Sequence, residues 1–459
     1  MNKTVYITLS KDDTLCFPEF ISSINFQGRN LIISPSTANW IILDEKELNI
    51  FYLIKEKKVV NEILKTIGID QSLLFLKVIT NILSRKFAGI NYTPTIKFNT
   101  EKSAYFAITN RCNLNCPHCY IETDGNNIRE ISINEWISIS EEFAEIGGKC
   151  ITLTGGEILL KSGWIDLVKH IHSLGLKQCI LTNGVLWSDA QIEKASKYVN
   201  EIQVSVDGID EHSNSVVRGK GNFKLAISTA TKFDTLGVKS SIFMTPLFEG
   251  IKYFTDGFME FYDKYIISTD IKIRLSKKLL PVRNAKSLSY EYQELYRYYM
   301  TNLEDTIYPH HRNANFFLSH LPNEGIDNCG LGRITVDAHG YIYPCNRIKQ
   351  FVPIFHDALH GLKYSLEQLE SWAKLFSVEN IEGCKSCDLK YICGGGCRLI
   401  ECLIMKNNKI ISFKKSFDPN IIVKRRCECT ELSKNILLTR MINIFGYTPD
   451  RNYIPFITI

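Results

Sequence analysis

Hydrophobic and polar positions change their period several times along the chain, and the longest regular stretch runs from about residue 104 to 285. Short runs of branched and aromatic residues alternate there with helical patterns. The six predicted strands are 105–109, 150–154, 178–182, 201–206, 238–244 and 271–275. Six strand–helix units in succession predict a parallel βα architecture, either a barrel segment or an open doubly wound sheet.

The first 92 residues follow a different pattern. Extended segments at 3–9 and 30–43 precede three helical patterns. The helical patterns cover about 45–54, 59–67 and the residues from Asp70 onward. Asp44 is placed to cap the first helix. Strands followed by three short helices predict a winged-helix module, and Pro94 predicts a linker behind it because proline disfavours helix on both sides.

The rest of the chain divides into a helical bridge and a cysteine-rich tail. A tyrosine-rich helical pattern runs from about Ser287 to Glu304. From about residue 325 the alternation is lost, and cysteines, glycines and aromatic residues dominate. We therefore expect four units: residues 1–92, a parallel βα unit at 100–285, the bridge at 286–324, and a tail at 325–459 that folds around metal.

Composition narrows the class of protein. The 459 residues are 45% hydrophobic, which supplies folded cores and excludes a disordered or fibrous chain. The net charge of +5 comes without a long run of one sign, so we expect no nucleic-acid partner. Without a signal-peptide pattern or a stretch of about 18 apolar residues, the expected location is cytoplasmic, with no membrane partner. In a reducing compartment, 15 clustered cysteines indicate metal or cluster ligation before disulfides.

Three cysteines follow the first strand in a CxxxCxxC loop: Cys112, Cys116 and Cys119. Thiolates at this spacing can hold three irons of a [4Fe–4S] cluster and leave the fourth iron without a protein ligand. The alternative is a structural zinc site, which would need a fourth ligand such as His118. The loop lies at the carboxyl end of its strand, where parallel βα barrels place their active sites.

Three more loops at carboxyl strand ends carry distinctive residues. The second strand ends in Gly-Gly-Glu at 155–157, where glycines let the backbone approach a polar ligand and a carboxylate can accept from an ammonium group. The third ends in Thr-Asn-Gly at 182–184, and the fourth in Ser-Val-Asp-Gly at 205–208, with Arg218 downstream. Each motif alone is an ordinary turn, but their co-occurrence at successive strand ends indicates a binding site.

In order and spacing, these motifs resemble the radical S-adenosylmethionine (SAM) superfamily. The resemblance covers residues 104 to about 285 and implies a partial (β/α)6 TIM-like barrel that binds SAM on a [4Fe–4S] cluster. Cleavage of SAM would yield a 5′-deoxyadenosyl radical that abstracts hydrogen from a substrate. The implied cofactor-binding residues are Gly155, Gly156 and Glu157 for the methionyl ammonium, His118 for the adenine, Asn183, Ser205 for the ribose and Arg218 for the carboxylate.

A second cysteine constellation fills the tail. It reads Cx10Gx4C, a gap, Cx2Cx5Cx3C, a gap and a final cysteine. The cysteines are Cys329, Cys345, Cys384, Cys387, Cys393 and Cys397, followed by Cys402, Cys427 and Cys429. The pattern is similar to the SPASM extension of peptide-modifying radical enzymes, which implies a C-terminal SPASM iron–sulfur domain with two auxiliary [4Fe–4S] clusters. A zinc ribbon would use the two pairs and leave Cys329 and Cys345 unexplained.

The resemblance also divides the ligands between the two clusters. The expected ligands are Cys329, Cys345 and Cys397 for cluster I, and Cys384, Cys387, Cys393 and Cys427 for cluster II. Cys429 is the alternative for the last position. No cysteine lies between Cys179 and Cys329, so cluster I keeps an open iron for a substrate thiolate unless Cys402 or Cys429 reaches it. Asn346 stands where sulfatase-maturing members have an aspartate base, which weakens that activity.

The N-terminal module resembles the leader-recognition element of enzymes that modify ribosomally made peptides, in its order of elements and in the segment 31–43. In such elements an extended leader adds a strand to the wing and packs against the last helix. DNA binding is disfavoured because the third helix has few base-reading side chains on its polar face. A stability cap without a ligand is the other alternative.

Together these features predict a cytoplasmic radical SAM/SPASM enzyme that forms a thioether between a cysteine sulfur and a carbon of a ribosomal precursor peptide. The expected cofactors are SAM and three [4Fe–4S] clusters, and the expected electron donor is a flavodoxin or ferredoxin. The alternatives within the class are carbon–carbon or carbon–oxygen crosslinking and a maturase of the sulfatase-maturing type. A zinc-containing DNA-binding regulator is the alternative outside it. No catalytic base is identified.

Overall fold

A computed structural model describes most of the chain. The described residues are 5–98, 102–119, 129–279, 290–307, 323–327, 331, 333–346, 356–412, 420–425, 431–445 and 453–457. Of the sequence-predicted metal ligands, Cys329 and Cys427 lie outside these ranges, as does the alternative Cys429. The other predicted site residues lie within them.

The N-terminal part combines short strands with three helices. The elements are β1 (Val5–Leu9), β2 (Leu15–Cys16), β3 (Ser22–Phe26), β4 (Arg29–Ser34), β5 (Asn39–Leu43), α1 (Glu45–Lys57), α2 (Val60–Thr66), α3 (Ser72–Ser84), β6 (Gly89–Ile90) and β7 (Lys97–Phe98). Strands β3, β4 and β5 form an antiparallel sheet, and β2 pairs with β6. The helices occupy the predicted segments, and Asp44 caps α1 in a capping box with Glu47 as predicted. The segment predicted as one extended run is two strands, and β3 was not predicted.

Six parallel strands form the central sheet. They are β8 (Ser103–Ala107), β9 (Cys150–Thr154), β10 (Lys177–Thr182), β11 (Glu201–Ser205), β12 (Lys239–Met244) and β13 (Lys272–Leu275). All six pair in chain order, which confirms the predicted parallel βα architecture. Sequential order without a reversal is the arrangement of a barrel segment, whereas a doubly wound sheet reverses direction at a switch point.

Helices between these strands cover the sheet. They are α4 (Ile133–Glu145), α5 (Trp164–Ser173), α6 (Asp189–Ser196), α7 (Glu211–Arg218), α8 (Asn222–Thr235), α9 (Ile251–Asp256) and α10 (Phe258–Tyr265). Their apolar faces and the strands enclose the largest core, where Trp136 of α4 lies 5.1 Å from Phe106 of β8 between ring centroids. Because the strands are parallel, the loops after β8, β9, β10 and β11 meet at the carboxyl ends of the strands.

The sheet continues beyond β8 with residues from the cysteine-rich tail. The next elements along the chain are α11 (Tyr290–Ile307), β14 (Glu324–Gly325), β15 (Ile334–Val336), β16 (Tyr341–Tyr343) and β17 (His356–Asp357). Strand β15 pairs in parallel with β8, and β16 and β17 follow as an antiparallel meander. The tail is therefore hydrogen-bonded to the strand that leads into the CxxxCxxC loop.

The remaining elements form a four-stranded sheet and a terminal helix. They are α12 (Leu362–Lys374), β18 (Ile381–Glu382), α13 (Lys390–Cys393), α14 (Arg398–Glu401), β19 (Cys402–Lys406), β20 (Lys409–Ile411), β21 (Ile422–Arg425), α15 (Glu431–Phe445) and β22 (Tyr453–Ile457). The sheet order is β18-β21-β19-β20, and β22 returns to pair with β1. Among the described helices, none has the length and apolar character to cross a membrane.

Candidate functional site

The CxxxCxxC loop places its three thiols within electrostatic range of one another. Cys116 is buried, and Cys112 and Cys119 are half-buried. Burial raises the pKa of the Cys112 thiol and raises the pKa of Cys116 to about 11, and negative charge on a neighbouring thiol adds to both shifts. Arg218 opposes these shifts with its positive charge. The Cys112 and Cys116 thiols are therefore protonated at neutral pH until a metal displaces their protons.

A half-buried ion pair anchors the start of this loop. Glu130 accepts hydrogen bonds from Thr109 Oγ1 at 2.7 Å and from the Asn110 backbone N–H at 2.8 Å. Lys161 Nζ lies 3.1 Å from the other Glu130 oxygen. Burial alone would raise the pKa of Glu130, but these donors hold it below its usual value. Asn110 also contacts Nε2 of His339, in the turn between β15 and β16, at 3.2 Å. The sequence alone predicted no role at the site for these five residues.

The two glycines after β9 let that loop lie directly on the cysteine loop. The backbone N–H of Gly156 donates to the Thr109 carbonyl at 2.7 Å, and that of Glu157 donates to the Arg111 carbonyl at 2.8 Å. A Cβ atom on Gly155 or Gly156 would collide with the backbone of this segment. Glycine is therefore required here for close approach to the cysteine loop, whereas the sequence predicted close approach to a bound ligand.

Glu157 joins the loops after β9 and β10. Its carboxylate is fully buried and accepts from Thr182 Oγ1 at 2.8 and 2.9 Å and from the Asn183 backbone N–H at 2.9 Å. Burial raises the pKa of Glu157, and these donors limit the rise. The backbone N–H of Leu159 is a further donor to this carboxylate, and the positive charge of Arg218 also lowers its pKa.

Asn183 connects the third loop to the cysteine loop. Its Nδ2 donates to Oδ1 of Asn113 at 2.8 Å. Asn113 lies between Cys112 and Cys116 in the chain. Thr182 Oγ1 also accepts from Trp187 Nε1 and from the Gly184 backbone N–H, both at 3.0 Å. One hydroxyl thereby organises the turn.

Asp207 is the centre of the fourth loop. Its Oδ2 lies 2.6 Å from Arg218 Nε and 3.3 Å from His118 Nε2, and its Oδ1 accepts from the Thr245 backbone N–H at 2.7 Å. The carboxylate is fully buried, which would raise its pKa, but Arg218 and His118 hold the pKa below its usual value. The sequence pattern contained this aspartate, but no role was predicted for it. His118 was predicted to contact a nucleobase, and one of its ring nitrogens faces Asp207.

The structure brings the predicted residues of four loops together at the carboxyl ends of the parallel strands. They are Cys112, Cys116, His118, Cys119, Gly155, Gly156, Glu157, Asn183, Ser205 and Arg218, with Ser205 as the half-buried last residue of β11. Thiols beside the half-buried Arg218 guanidinium fit an anionic iron–sulfur cluster, because the positive charge stabilises thiolates. Among the described residues, no three side chains of metal-ligating type already stand in coordinating geometry.

The second constellation gathers around an aromatic cluster. Cys384 and Cys402 are buried with Trp372 and Phe376, and Cys345 packs against the same cluster. Burial raises the pKa of the nearby Cys387 thiol, and charge on Cys393 and Cys384 raises it further. Five of the cysteines predicted to bind the auxiliary clusters lie in the described part of the chain: Cys345, Cys384, Cys387, Cys393 and Cys397.

The site thus combines a sequential parallel sheet, a three-cysteine loop after its first strand, and glycine and acidic residues at the next strand ends. Residues 106–260 match the profile of the Radical SAM superfamily. This segment belongs to that superfamily, whose members bind SAM and a [4Fe–4S] cluster.

Curated relatives extend the match beyond this segment. The antilisterial bacteriocin subtilosin biosynthesis protein AlbA of Bacillus subtilis (strain 168) is 25% identical over 65% of this chain and 68% of its own. The mycofactocin maturase MftC of Mycolicibacterium smegmatis is 27% identical over 63% of this chain and 76% of its own. The sporulation killing factor maturation protein SkfB of Bacillus subtilis (strain 168) is 33% identical over 31% of this chain. The matched segment covers 35% of the length of SkfB.

A solved structure shows a similar fold. The crystal structure of native anSMEcpe with bound AdoMet superposes with a TM-score of 0.57 at 16% identity, and the match covers 75% of this chain and 99% of that one. At this identity the likeness supports the α/β fold.

Replacing Thr182 with valine tests the hydroxyl that organises the third loop. Thr182→Val keeps the shape of the side chain but leaves Glu157, Trp187 and Gly184 each without one partner. We expect a loss of about 1–3 kcal/mol in the free energy of unfolding, measured by urea denaturation. The control is Thr235→Val, whose exposed hydroxyl donates only to a helical carbonyl, with an expected change within about 0.5 kcal/mol. Equal losses in the two variants would contradict this account of the loop.

Proposed function

We propose that this protein is a radical SAM enzyme that modifies a ribosomally synthesised precursor peptide and forms a thioether between a cysteine sulfur and a carbon. One observation carries the proposal. The cysteine loop, Glu157, Asn183 and the Asp207–Arg218 pair lie together at the carboxyl ends of the parallel strands. Relatives named as biosynthesis or maturation proteins of bacteriocins, a killing factor and mycofactocin support a peptide as the substrate.

The cysteine loop would hold a cluster with one iron open for SAM. Glu157 and the glycine backbone before it would accept from the methionyl ammonium. Arg218 uses its Nε for Asp207, and its other four N–H groups are suited to a carboxylate. His118 would lie beside the adenine, and Ser205 beside the ribose. Bound in this way, SAM and the cluster supply a 5′-deoxyadenosyl radical for hydrogen abstraction, and the protein contributes placement and exclusion of water.

Auxiliary clusters would accept the electron that a thioether linkage releases. Loss of a hydrogen atom from the peptide carbon and of a proton from the cysteine thiol leaves one electron to remove when the sulfur–carbon bond forms. Cys384, Cys387, Cys393 and Cys427 would hold cluster II. Strand β21, which leads toward Cys427, pairs in parallel with β18, which leads into Cys384, and this register supports that choice.

Cluster I would bind the substrate thiolate. Its proposed ligands are Cys329, Cys345 and Cys397, which leave one iron open. Cys402 and Cys429 were the alternative fourth ligands. Of these, Cys402 is buried beside Cys384, on the side proposed for cluster II, and Cys429 lies outside the described residues. An external flavodoxin- or ferredoxin-type protein would supply and collect electrons.

The N-terminal winged-helix module would bind the leader of the precursor peptide at the free edge of β3. One face of its sheet packs on its own helices through Ile32 and Ile41, and the other packs on α15 through Leu31 and Ile33. With both faces covered, main-chain pairing along an edge is the remaining way to add a peptide. Within the described part of the chain, β3 pairs only with β4.

The proposal is tested first by metal content and then by peptide mass. Anaerobically reconstituted full-length protein should contain about twelve irons per chain with matching sulfide and negligible zinc. Replacing Cys112, Cys116 and Cys119 with alanine should remove about four irons and abolish SAM cleavage. Replacing Cys150, a strand cysteine, is the control and should change neither.

A precursor peptide with its leader should lose about two mass units per crosslink when incubated with the reduced enzyme and SAM. Alkylation before and after the reaction counts free thiols, and one thiol should disappear per crosslink. Mass loss with all thiols still free would instead indicate a carbon–carbon or carbon–oxygen crosslink. Unchanged mass, or zinc in place of iron, would refute the proposal.

Asp207→Asn tests the pair that holds Arg218. Without the carboxylate, the Arg218 guanidinium loses its charged partner, so we expect SAM affinity to fall about tenfold or more. Isothermal titration of protein with matched iron content gives the affinity. Asp210→Asn is the control because Asp210 caps α7 and asparagine caps equally well. A similar loss in both variants would mean that the effect comes from loop folding rather than from Arg218.

A further inference from the structure

Three consecutive glycines form a left-handed turn between two of the proposed cluster ligands. Gly394, Gly395 and Gly396 have φ angles of +67°, +72° and +73°. Only glycine adopts this conformation without steric cost. The turn separates Cys393 from Cys397 and fixes the direction in which each side chain leaves the backbone.

Two arginines hold the carbonyl groups of this turn. Nη1 of Arg398 donates to the carbonyls of Gly394 and Gly396, both at 2.6 Å. Nη1 of Arg425 donates to the carbonyl of Gly395 at 3.2 Å. All three glycine carbonyls are therefore directed at guanidinium groups.

Arg398 is a buried cation whose protein partners are neutral. Its side chain is fully buried. Besides the glycines, its partners are the carbonyls of Phe376, at 2.7 and 2.9 Å, and of Asp327, at 3.2 Å. In the described part of the chain no carboxylate pairs with it. Burying an uncompensated charge costs several kcal/mol, so an anion is expected nearby.

Arg425 connects this region to a cysteine sulfur. Its Nη1 lies 3.9 Å from Cys384 Sγ, and its Nη2 lies 3.6 Å from Glu401 Oε2. Glu401 also pairs with Lys278, which follows β13, so one carboxylate serves two cations. Burial would raise the pKa of Glu401, but the positive charges of Lys278, Arg297 and Arg425 hold it below its usual value. Two cations, Lys278 and Arg425, therefore share Glu401, and Arg425 lies beside Cys384.

We propose that Arg398 and Arg425 are the counter-charge of the auxiliary cluster bound through Cys384, Cys387 and Cys393, and that Arg425 donates a hydrogen bond to the Cys384 sulfur. This inference rests on the proposed function, which assigns a cluster to these cysteines. A [4Fe–4S] cluster on four thiolates carries about two negative charges when oxidised and about three when reduced. Nearby cations stabilise the reduced form more, so they raise the reduction potential and favour acceptance of an electron.

Arg425→Gln removes the charge but keeps a side chain that can contact Gly395. The electron transfer concerned is the one-electron reduction of the [4Fe–4S]2+ cluster to [4Fe–4S]+, with dithionite as the reductant in the test. EPR-monitored potentiometric titration of the full-length reconstituted protein should show one auxiliary cluster shifted to a more negative potential. We expect at least a tenfold change in the reduction equilibrium, about 59 mV, with iron content unchanged.

Lys390→Gln is the matched control. Lys390 lies between Cys387 and Cys393 in the chain, but its Nζ pairs with Glu379 at 3.0 Å and donates to the Lys385 carbonyl. Its charge is already balanced, so the potentials of this variant should equal those of the wild type. An equal shift in Lys390→Gln would overturn the specific role of Arg425.

A further variant covers the case in which Arg425→Gln loses iron. Arg425→Lys keeps the positive charge, so retention of iron by this variant supports the counter-charge role, and loss of iron in both variants overturns it. Unchanged potentials in an Arg425→Gln protein with full iron also overturn it and leave the proposed function standing. Wild-type protein that assembles no auxiliary cluster would refute both.

Discussion

The buried carboxylate of Asp207 is the interaction on which the candidate site depends. It joins the cysteine loop through His118, the end of α7 through Arg218, and the residue after β12 through Thr245. Burying a carboxylate is costly unless charged and hydrogen-bonding partners surround it, and Asp207 has both. Because these partners come from separate βα units, the site can form only when the sheet is complete.

Glu157 has the same role two strands earlier, where it links the loops after β9 and β10. The glycines before it allow backbone contact with the cysteine loop, and Asn183 reaches the same loop from the third strand. Each connection uses a backbone group or a short side chain, so the loops are held at short range. Rigid placement of this kind is what a reactive radical needs, because the protein directs such a radical chiefly by position and exclusion of water.

The cysteine-rich tail is continuous with the central sheet. Strand β15 pairs with β8, and His339 in the following turn contacts Asn110 just before the CxxxCxxC loop. At the other end, Lys278 after β13 pairs with Glu401, which contacts Arg425 beside Cys384. The cysteine-rich tail is therefore connected to both edge strands of the parallel sheet, β8 and β13, and so to the candidate site at the carboxyl ends of these strands.

The sequence by itself determined the six parallel strands, to within two residues at each end, the helices of the N-terminal part, and the cysteine, Gly-Gly-Glu and Thr-Asn-Gly motifs. Periodicity, caps and ligand spacing are local properties, so they are readable along the chain. Only the tertiary structure decided that Asp207 faces His118 and Arg218, that β15 extends the sheet at β8, and that Arg425 lies beside Cys384. These contacts join residues that are distant in the chain. They depend on how the strands and helices pack, because the cost of burying each charge is met by groups from other elements.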